Sequence, residues 1–289
     1  MTLTGDHDFG FEPRPLRTAV VGHTEWVDFV RVERVPEPGQ IVHALDFWQE
    51  PGGGGAVAAV QLLKLAGNAT FFTAFSEESL GHFAHAHLQS MGLRLEAVFR
   101  PTPQRRAITH IDAGNERTIT VLGERLAPHG TDLLDWTMFE EADVVYLTAG
   151  DQEAVHIARR ASILVATTRI LSLLAEAHVH FDAVIGSARD ESERYETGDL
   201  DPPPTLAVRT EGSRGGTFQV NGERWERYEA AEIPGPSGDS YGCGDSFAAG
   251  LTFALGCGAE PRAAVAFAAR CGASTLTGKG PYEGQLQLV

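Results

Sequence analysis

The chain has 289 residues, 43% hydrophobic and 21% charged. That make-up belongs to an ordinary globular protein and excludes disorder throughout or a disulfide scaffold. The formal net charge of −16 repels phosphate backbones and anionic lipid, so nucleic acid and membrane surfaces are poor partners, while a small anionic ligand in a locally favourable pocket remains compatible.

Residues 1–16 read as a loose polar leader without the apolar core of a secretory signal. Thr18–Val21 is a short apolar strand. Trp26–Glu33 and Ile41–Gln49 are strand-like and flank the turn Pro36-Glu37-Pro38-Gly39. A helix is expected over Gly55–Leu65, a strand over Thr70–Phe75 and a helix over Leu80–Met91. Ala107–Ile111 and Arg117–Val121 flank Asp112–Glu116, a hairpin signature with Gly114 available for positive φ. Further strands follow at Asp143–Leu147, Ile163–Ala166, Ala183–Ile185 and Leu206–Val208, with helices at Gln152–Ala161 and Asp245–Leu255. Continuous apolar strands alternating with helices predict the α/β class, a mainly parallel sheet covered on both faces. The two strand pairs that lack a helix between them predict a small antiparallel sheet, a lid or dimerisation surface, drawn from about residues 26–49 and 98–122. With no linker or repeat, residues 17–289 form one domain.

The longest apolar stretch, Phe247–Ala259, falls short of the ~18 residues of a bilayer span. A cytoplasmic protein is expected. Cys243, Cys257 and Cys271 form no CxxC pair and point away from structural zinc.

The strongest chemical feature is Gly238-Asp239-Ser240-Tyr241-Gly242-Cys243-Gly244-Asp245-Ser246-Phe247-Ala248-Ala249-Gly250. A glycine-rich turn entering a helix leaves backbone N–H groups without partners at the positive end of the helix dipole. Gly242 and Gly244 let those amides approach a ligand, which makes an anion hole suited to phosphate. Asp245 at its mouth is either a base that accepts a hydroxyl proton or an N-cap.

This segment resembles the C-terminal signature of the ribokinase-like (PfkB) carbohydrate kinase family. Similar family segments are Val20–Gly22 with Pro36–Gly39, the glycine run Pro51–Ala59, Ala69–Gly81, Thr210–Gly215 and Thr277–Gly280. The resemblance spans about residues 17–285. It implies a three-layer α/β/α sandwich with a small β lid, and transfer of the γ-phosphoryl group of ATP, with Mg²⁺, to a hydroxyl of a small-molecule acceptor. It implies Asp245 as base, with Gly242, Cys243 and Gly244 supplying amides. Thr210, Gly212, Gly215, Ser187, Lys279 and Gly280 would line the nucleotide, and Gly52 and Gly53 would face the acceptor. Asp190 would act on Mg²⁺ indirectly, and Asp239 would lie beside a monovalent cation such as K⁺. Pairing through the lid strands would give a homodimer.

Several positions depart from the family. Its Asn-x-Asp after the first strand is matched by Glu25-Trp26-Val27, and its Lys and Asn in the glycine signature by Gly54 and Val57. Its acceptor Glu falls near Ala149, and its Asn-x-x-Glu reads Ser187-Ala188-Arg189-Asp190. Glu25 and Asp28 remain as polar acceptor contacts, beside Val57 and an apolar wall at Trp26. Arg105 and Arg106 either steer an anionic substrate or are solvated. His23 reads as a core or loop polar group, and His82, His85 and His87 as a solvated helix face. The leading expectation is an ATP-dependent sugar-type kinase; the alternatives are a nucleoside kinase of the same fold and a catalytically weak nucleotide- or metabolite-binding protein.

Overall fold

A computed structural model describes residues 9–288. In chain order the first half runs β1 (Thr18–Val21), β2 (Glu25–Arg31), β3 (Asp46–Gly52), α1 (Gly54–Ala66), β4 (Thr70–Ser76), α2 (Ser79–Ser90), β5 (Arg94–Arg100), β6 (Arg106–Ile111) and β7 (Arg117–Leu122). It continues with β8 (Val144–Leu147), α3 (Gln152–Ala158), β9 (Ile163–Thr167), α4 (Leu171–Ala177), β10 (Ala183–Ser187), β11 (Leu206–Thr210), β12 (Gly216–Val220), β13 (Glu226–Tyr228), α5 (Cys243–Gly256) and α6 (Pro261–Thr275).

Nine strands make one sheet in the order β13-β12-β11-β10-β9-β8-β1-β4-β5. All pairings from β11 to β5 are parallel, and β12 and β13 close the far edge antiparallel. Side-chain alternation divides the strands between two cores. Val20, Tyr146, Val165 and Ile185 pack with α1, α5 and α6, while Val21, Leu147, Ala166 and Val184 pack with α3 and α4. The result is a three-layer α/β/α sandwich. The separate four-stranded sheet, β3-β2-β6-β7, is the expected small sheet, but it is mixed and not antiparallel: β2 and β6 pair parallel, which the long connection between them through α1, β4, α2 and β5 allows, and residues 98–100 belong to β5 of the main sheet. No helix among the described residues is long and apolar enough to cross a membrane.

Local differences have local causes. β3 starts at Asp46, five positions after the expected Ile41, because its register pairs Glu25 with Gly52 and Arg31 with Asp46. Ile41 and Leu45 are left exposed. In the β6–β7 turn it is Asn115, at φ 61, that takes the left-handed conformation, and not Gly114; Asn tolerates that region through local hydrogen bonding. Residues 1–8 of the expected leader lie outside the described residues. Residues 9–16 are not loose: the rings of Phe9 and Phe11 meet Phe267 edge-on at 5.1 and 5.2 Å, and Leu16 is buried.

Candidate active site

Chain connectivity reverses direction between β1 and β8, since β1 pairs with β4 on one side and β8 on the other. Such a switch point opens a crevice beyond the carboxyl ends of its two strands, where open α/β sheets bind ligands. Here those ends are Gly22-His23 and Thr148. The glycine run presses the start of α1 into this crevice. A Cβ on Gly55 would lie 2.8 Å from the His23 nitrogen, and one on Gly22 2.6 Å from Thr148 Oγ1. Gly53 caps α1 at φ 87, and a Cβ on Gly54 would sit 3.1 Å from Asp245 Oδ1 and 3.5 Å from Arg169 Nη1.

The start of α5 faces this point. Gly242 is the N-cap at φ 81, and the first intrahelical bond runs from the Ser246 N–H to the Gly242 carbonyl. The N–H groups of Cys243, Gly244 and Asp245 precede that bond and are the orphan donors expected of a first turn. A Cβ on Gly244 would meet nothing within 4 Å, so this amide borders open space. Burial pushes the neighbouring Cys243 thiol up to about 12, which leaves it an inert neutral group. Asp245 is the third helical residue and not the N-cap; its Oδ1 accepts a hydrogen bond from Arg169 Nη1 at 3.0 Å.

Arg169 stands on the turn after β9, where its N–H donates to the Thr167 hydroxyl. Its Nε also donates to Glu193 Oε1 at 2.7 Å, and Glu193 Oε2 accepts the Ser187 N–H at 3.0 Å. The Asp245 carboxylate, followed by burial working the other way and then Glu193, holds the guanidinium well above its ordinary pKa. Sequence reasoning missed both Arg169 and the inward turn of Glu193. The first sits in an unremarkable Thr-Thr-Arg loop, and only the fold brings residue 169 to residue 245.

On the lid side, Glu25 Oε1 accepts from Arg105 Nε at 2.7 Å and lies 3.4 Å from His23 Nε2. Burial alone would raise the Glu25 carboxyl, but His23 and Arg105 hold it below the usual range; burial pushes the His23 imidazole down. His23 Nδ1 and Thr148 Oγ1 are buried without a hydrogen-bond partner, two polar groups left over at the mouth of the crevice. Both are suited to ligand hydroxyls.

Strand alternation corrects three acceptor assignments. Glu25, Val27 and Phe29 share the face of β2 that meets Gly53, Gly52 and Tyr241. Asp28 lies on the opposite face, bonded to Arg106 at 2.5 Å and to Gln49. Trp26 is on that outer face too, beside Phe83 of α2, so it walls no acceptor pocket. Val57 is fully buried, one turn into α1, where a Cβ on Gly242 would touch its Cγ1 at 3.0 Å; it is a packing residue. Gly52 and Gly53 do border the site, closed by Tyr241, whose hydroxyl accepts the Gly53 N–H at 3.0 Å.

Of the residues expected around the nucleotide, Ser187, Thr210, Gly212 and Gly215 gather at the ends of β10 and β11, while Gly280 lies against Glu50 and Trp48 of β3. The Thr210 hydroxyl donates to the Gly186 carbonyl, and Gly212 (φ 66) and Gly215 (φ 75) shape the turn that follows. A Cβ on Gly212 would lie 3.0 Å from the Arg189 guanidinium carbon. The Ser187 hydroxyl accepts the Arg189 N–H. Asp190 is exposed; bonds from the Ser192 hydroxyl and amide hold it ionised, with Arg169 adding to the effect. Lys279 turns toward the lid, not toward this loop: its Nζ pairs with Asp46 at 2.6 Å and stands 4.2 Å from the Trp48 ring centre. Asp239 is buried, with its oxygens accepting the N–H groups of Tyr241 and Gly280. Among the described residues no cluster of His, Cys, Asp and Glu forms a metal site by itself.

The chain and its fold have counterparts among known proteins. The chain is similar to the ATP-dependent ribose-1-phosphate kinase of Halopiger xanaduensis, 26% identical over 264 residues that cover 82% of this chain and 83% of that protein. Its fold matches a putative ribokinase from Agrobacterium tumefaciens with a TM-score of 0.79 at 18% identity, over 95% of both chains. It also matches the Arabidopsis thaliana ribokinase complexed with ribose and ATP with a TM-score of 0.71 at 17% identity, over 95% of this chain and 96% of that one. The model of the pfkB family carbohydrate kinases matches residues 16–196 and 203–287, and on that match the chain belongs to this family of phosphotransferases with an alcohol group as acceptor.

Proposed function

We propose that the protein transfers the γ-phosphoryl group of ATP to a hydroxyl of a small sugar-like acceptor, with Asp245 as the base. The observation that carries this is the meeting of two helix starts: the Asp245 carboxylate beside the free amides of α5, over Gly54 at the head of α1. The acceptor hydroxyl gives its proton to Asp245 while its oxygen bonds the γ-phosphorus and the bond to the bridging oxygen breaks, releasing ADP. The Cys243 and Gly244 amides take up the charge on the phosphoryl oxygens. Glu25, His23 and Thr148 orient the acceptor, and the lid excludes water, the competing acceptor.

Mg²⁺, bound with ATP, would neutralise phosphate charge. The exposed, ionised Asp190, which feels the charge of Arg169, would fit a contact to it through water. Asp239, with both oxygens already bonded to backbone amides, fits a loop staple, so dependence on a monovalent cation is left to activity measured with and without K⁺. With Trp26 on the outer face, that ring offers no wall to a nucleoside base, and the name of the Halopiger relative puts pentose phosphates first among acceptors to assay.

The test is ADP formation from Mg-ATP across pentoses, hexoses, sugar phosphates and nucleosides. Asp245→Asn should lower acceptor-dependent turnover by about 10²–10⁴-fold with a native circular-dichroism spectrum. A folded Asp245→Asn protein that keeps most of its turnover rules the base out. ATP binding without turnover on any acceptor supports the binding-protein alternative.

A further inference from the structure

The chain between Pro281 and Leu286 lies across both helix starts that build the crevice. The Tyr282 hydroxyl donates to the Pro51 carbonyl at 2.8 Å, just ahead of the glycine run. Pro281 stands against the N-cap of α5, where a Cβ on Gly242 would lie 3.1 Å from the Pro281 Cβ. Gln285 joins the two ends. It is 1% exposed, and its Nε2 donates to the Val57 carbonyl of α1 at 2.9 Å and to the Ser246 hydroxyl of α5 at 3.2 Å.

The two contacts fall at the same position of each helix. The Val57 N–H bonds the carbonyl of the N-cap Gly53, and the Ser246 N–H bonds that of the N-cap Gly242, so each residue closes the first turn of its helix. Ser246 directly follows Asp245 and the open amides of Cys243 and Gly244. A single side-chain amide therefore ties the turn that carries base and cradle to the turn that opens on Gly54. Stability does not explain the choice of glutamine. Gln285 Oε1 is buried without a hydrogen-bond partner among the described residues, and an unpaired buried carbonyl costs more than an apolar side chain of the same shape. One turn further along α1 stands a natural comparison. Gln61 is also buried, its Nε2 donates to the Leu286 carbonyl at 2.7 Å, and its Oε1 is likewise unpartnered. It holds the same segment to the same helix but makes no side-chain hydrogen bond to α5 among the described residues.

We infer that Gln285 is a positioning residue: it fixes the first turn of α5 against that of α1, and so sets where the Asp245 carboxylate and the cradle amides stand relative to the acceptor crevice. It touches no reacting group and acts through Ser246 and Val57. That the fixed groups do chemistry rests on the kinase reading, whereas the fixing itself is a property of the protein alone and can be measured without turnover. Small displacements matter at such a site because transfer needs base, hydroxyl and phosphorus held in a near-attack geometry.

The experiment compares Gln285→Leu, Ser246→Ala, their double variant and Gln61→Leu in the full chain. It reads steady-state kinetics on the acceptor that the wild type turns over fastest, and hydrogen exchange of the Ser246 N–H in the ligand-free protein. Gln285→Leu should lower kcat about 10-fold with the KM for ATP unchanged, since the Gly212–Gly215 turn is not touched. Ser246→Ala should reproduce part of that loss, and the double variant should be no slower than Gln285→Leu alone, because both changes remove one contact. Gln61→Leu should keep the wild-type kcat. The Ser246 amide should exchange about 10-fold faster in Gln285→Leu and at the wild-type rate in Gln61→Leu. A folded Gln285→Leu protein with wild-type kcat or wild-type exchange, equal kcat losses in Gln285→Leu and Gln61→Leu, or losses that add in the double variant overturn the inference. If Gln285→Leu does not fold, Ser246→Ala decides alone, and an unchanged kcat there overturns it. A wild type that turns over no acceptor, with fast exchange confined to Gln285→Leu, overturns the kinase reading and leaves the brace between the helices standing.

Discussion

At the scale of single residues, the site is a short chain of charge from Ser187 through Glu193 and Arg169 to Asp245. Glu193 is 8% exposed, so its carboxylate is tolerated because Arg169 and a backbone amide satisfy it. Removing one partner of such a pair leaves an uncompensated charge, a far larger penalty than the pair itself contributes. Arg169→Leu should therefore destabilise the fold by about 2–3 kcal/mol, since the arginine is partly solvated and the full buried-pair cost does not apply. Arg169→Leu with Glu193→Leu should recover part of that loss in urea unfolding; a double variant less stable than the single one contradicts it. The position of Asp245 in the first turn of α5 was legible from its motif, since glycines before an apolar run announce a helix start. Arg169 was not, because an isolated arginine in a loop carries no local signal. Asp28 and Val57 were misread for the same kind of reason: the family position was matched, but strand parity and helix burial, which decide where a side chain points, were not followed through.

At the scale of elements, two helices and two strand ends share the work, and the glycines at their contacts set how closely they meet. Gly250 of α5 lies against α6, where a Cβ would come within 2.6 Å of Cys271 Sγ and 3.2 Å of Ala268 Cα. Glycine to alanine inside a helix ordinarily gains up to about 1 kcal/mol. Here overpacking outweighs that gain, and Gly250→Ala should lower stability by about 1–3 kcal/mol. A rise in the urea midpoint would show that α5 and α6 can separate freely. The parallel strands were legible from their apolar runs. β12 and β13 were not picked out, being short edge strands without a continuous apolar run. The start of β3 was placed too early because Ile41 and Leu45 look strand-like, although the ladder with β2 begins at Asp46 and only the Leu45 N–H, bonded to the Arg31 carbonyl, reaches back from it.

At the scale of the whole molecule, the lid is tied to the C-terminal loop through β3. Lys279 pairs with Asp46 and lies over Trp48, and the Trp48 indole donates to Glu50 at 2.9 Å. Glu50 also crowds Gly280, whose Cβ would fall 1.9 Å from its Oε1. Burial foremost, with the charges of Asp239 and Glu283, raises the Glu50 carboxyl from 4.5 to about 7, against the opposing bond from Trp48 and the charge of Lys279. A carboxyl whose folded pKa is raised favours the fold below its unfolded pKa, and that contribution is lost as pH rises through the folded value. The wild type should thus lose stability between about pH 4.5 and 7 at this joint. Glu50→Gln should gain relative to it across that window and hold the gain above it, as read by urea midpoints at pH 5 and 8. Equal differences at both values would place the titration elsewhere. The layered α/β architecture with a second, small sheet was legible from the β/α alternation and the two helix-free strand pairs; the joint was not, because it unites residues 46–50 with 279–280 only after folding.

The open space beside Gly244 has a consequence for how such a protein changes over time. The phosphoryl cradle is written in backbone geometry, and the contacts that select an acceptor are side chains on the lid. The two are inherited through different kinds of mutation. On the proposed function, substitutions at positions such as 25 and 105 would exchange one acceptor for another without touching the amides of α5, so a lineage built on this scaffold could acquire a new substrate while its chemistry stands still.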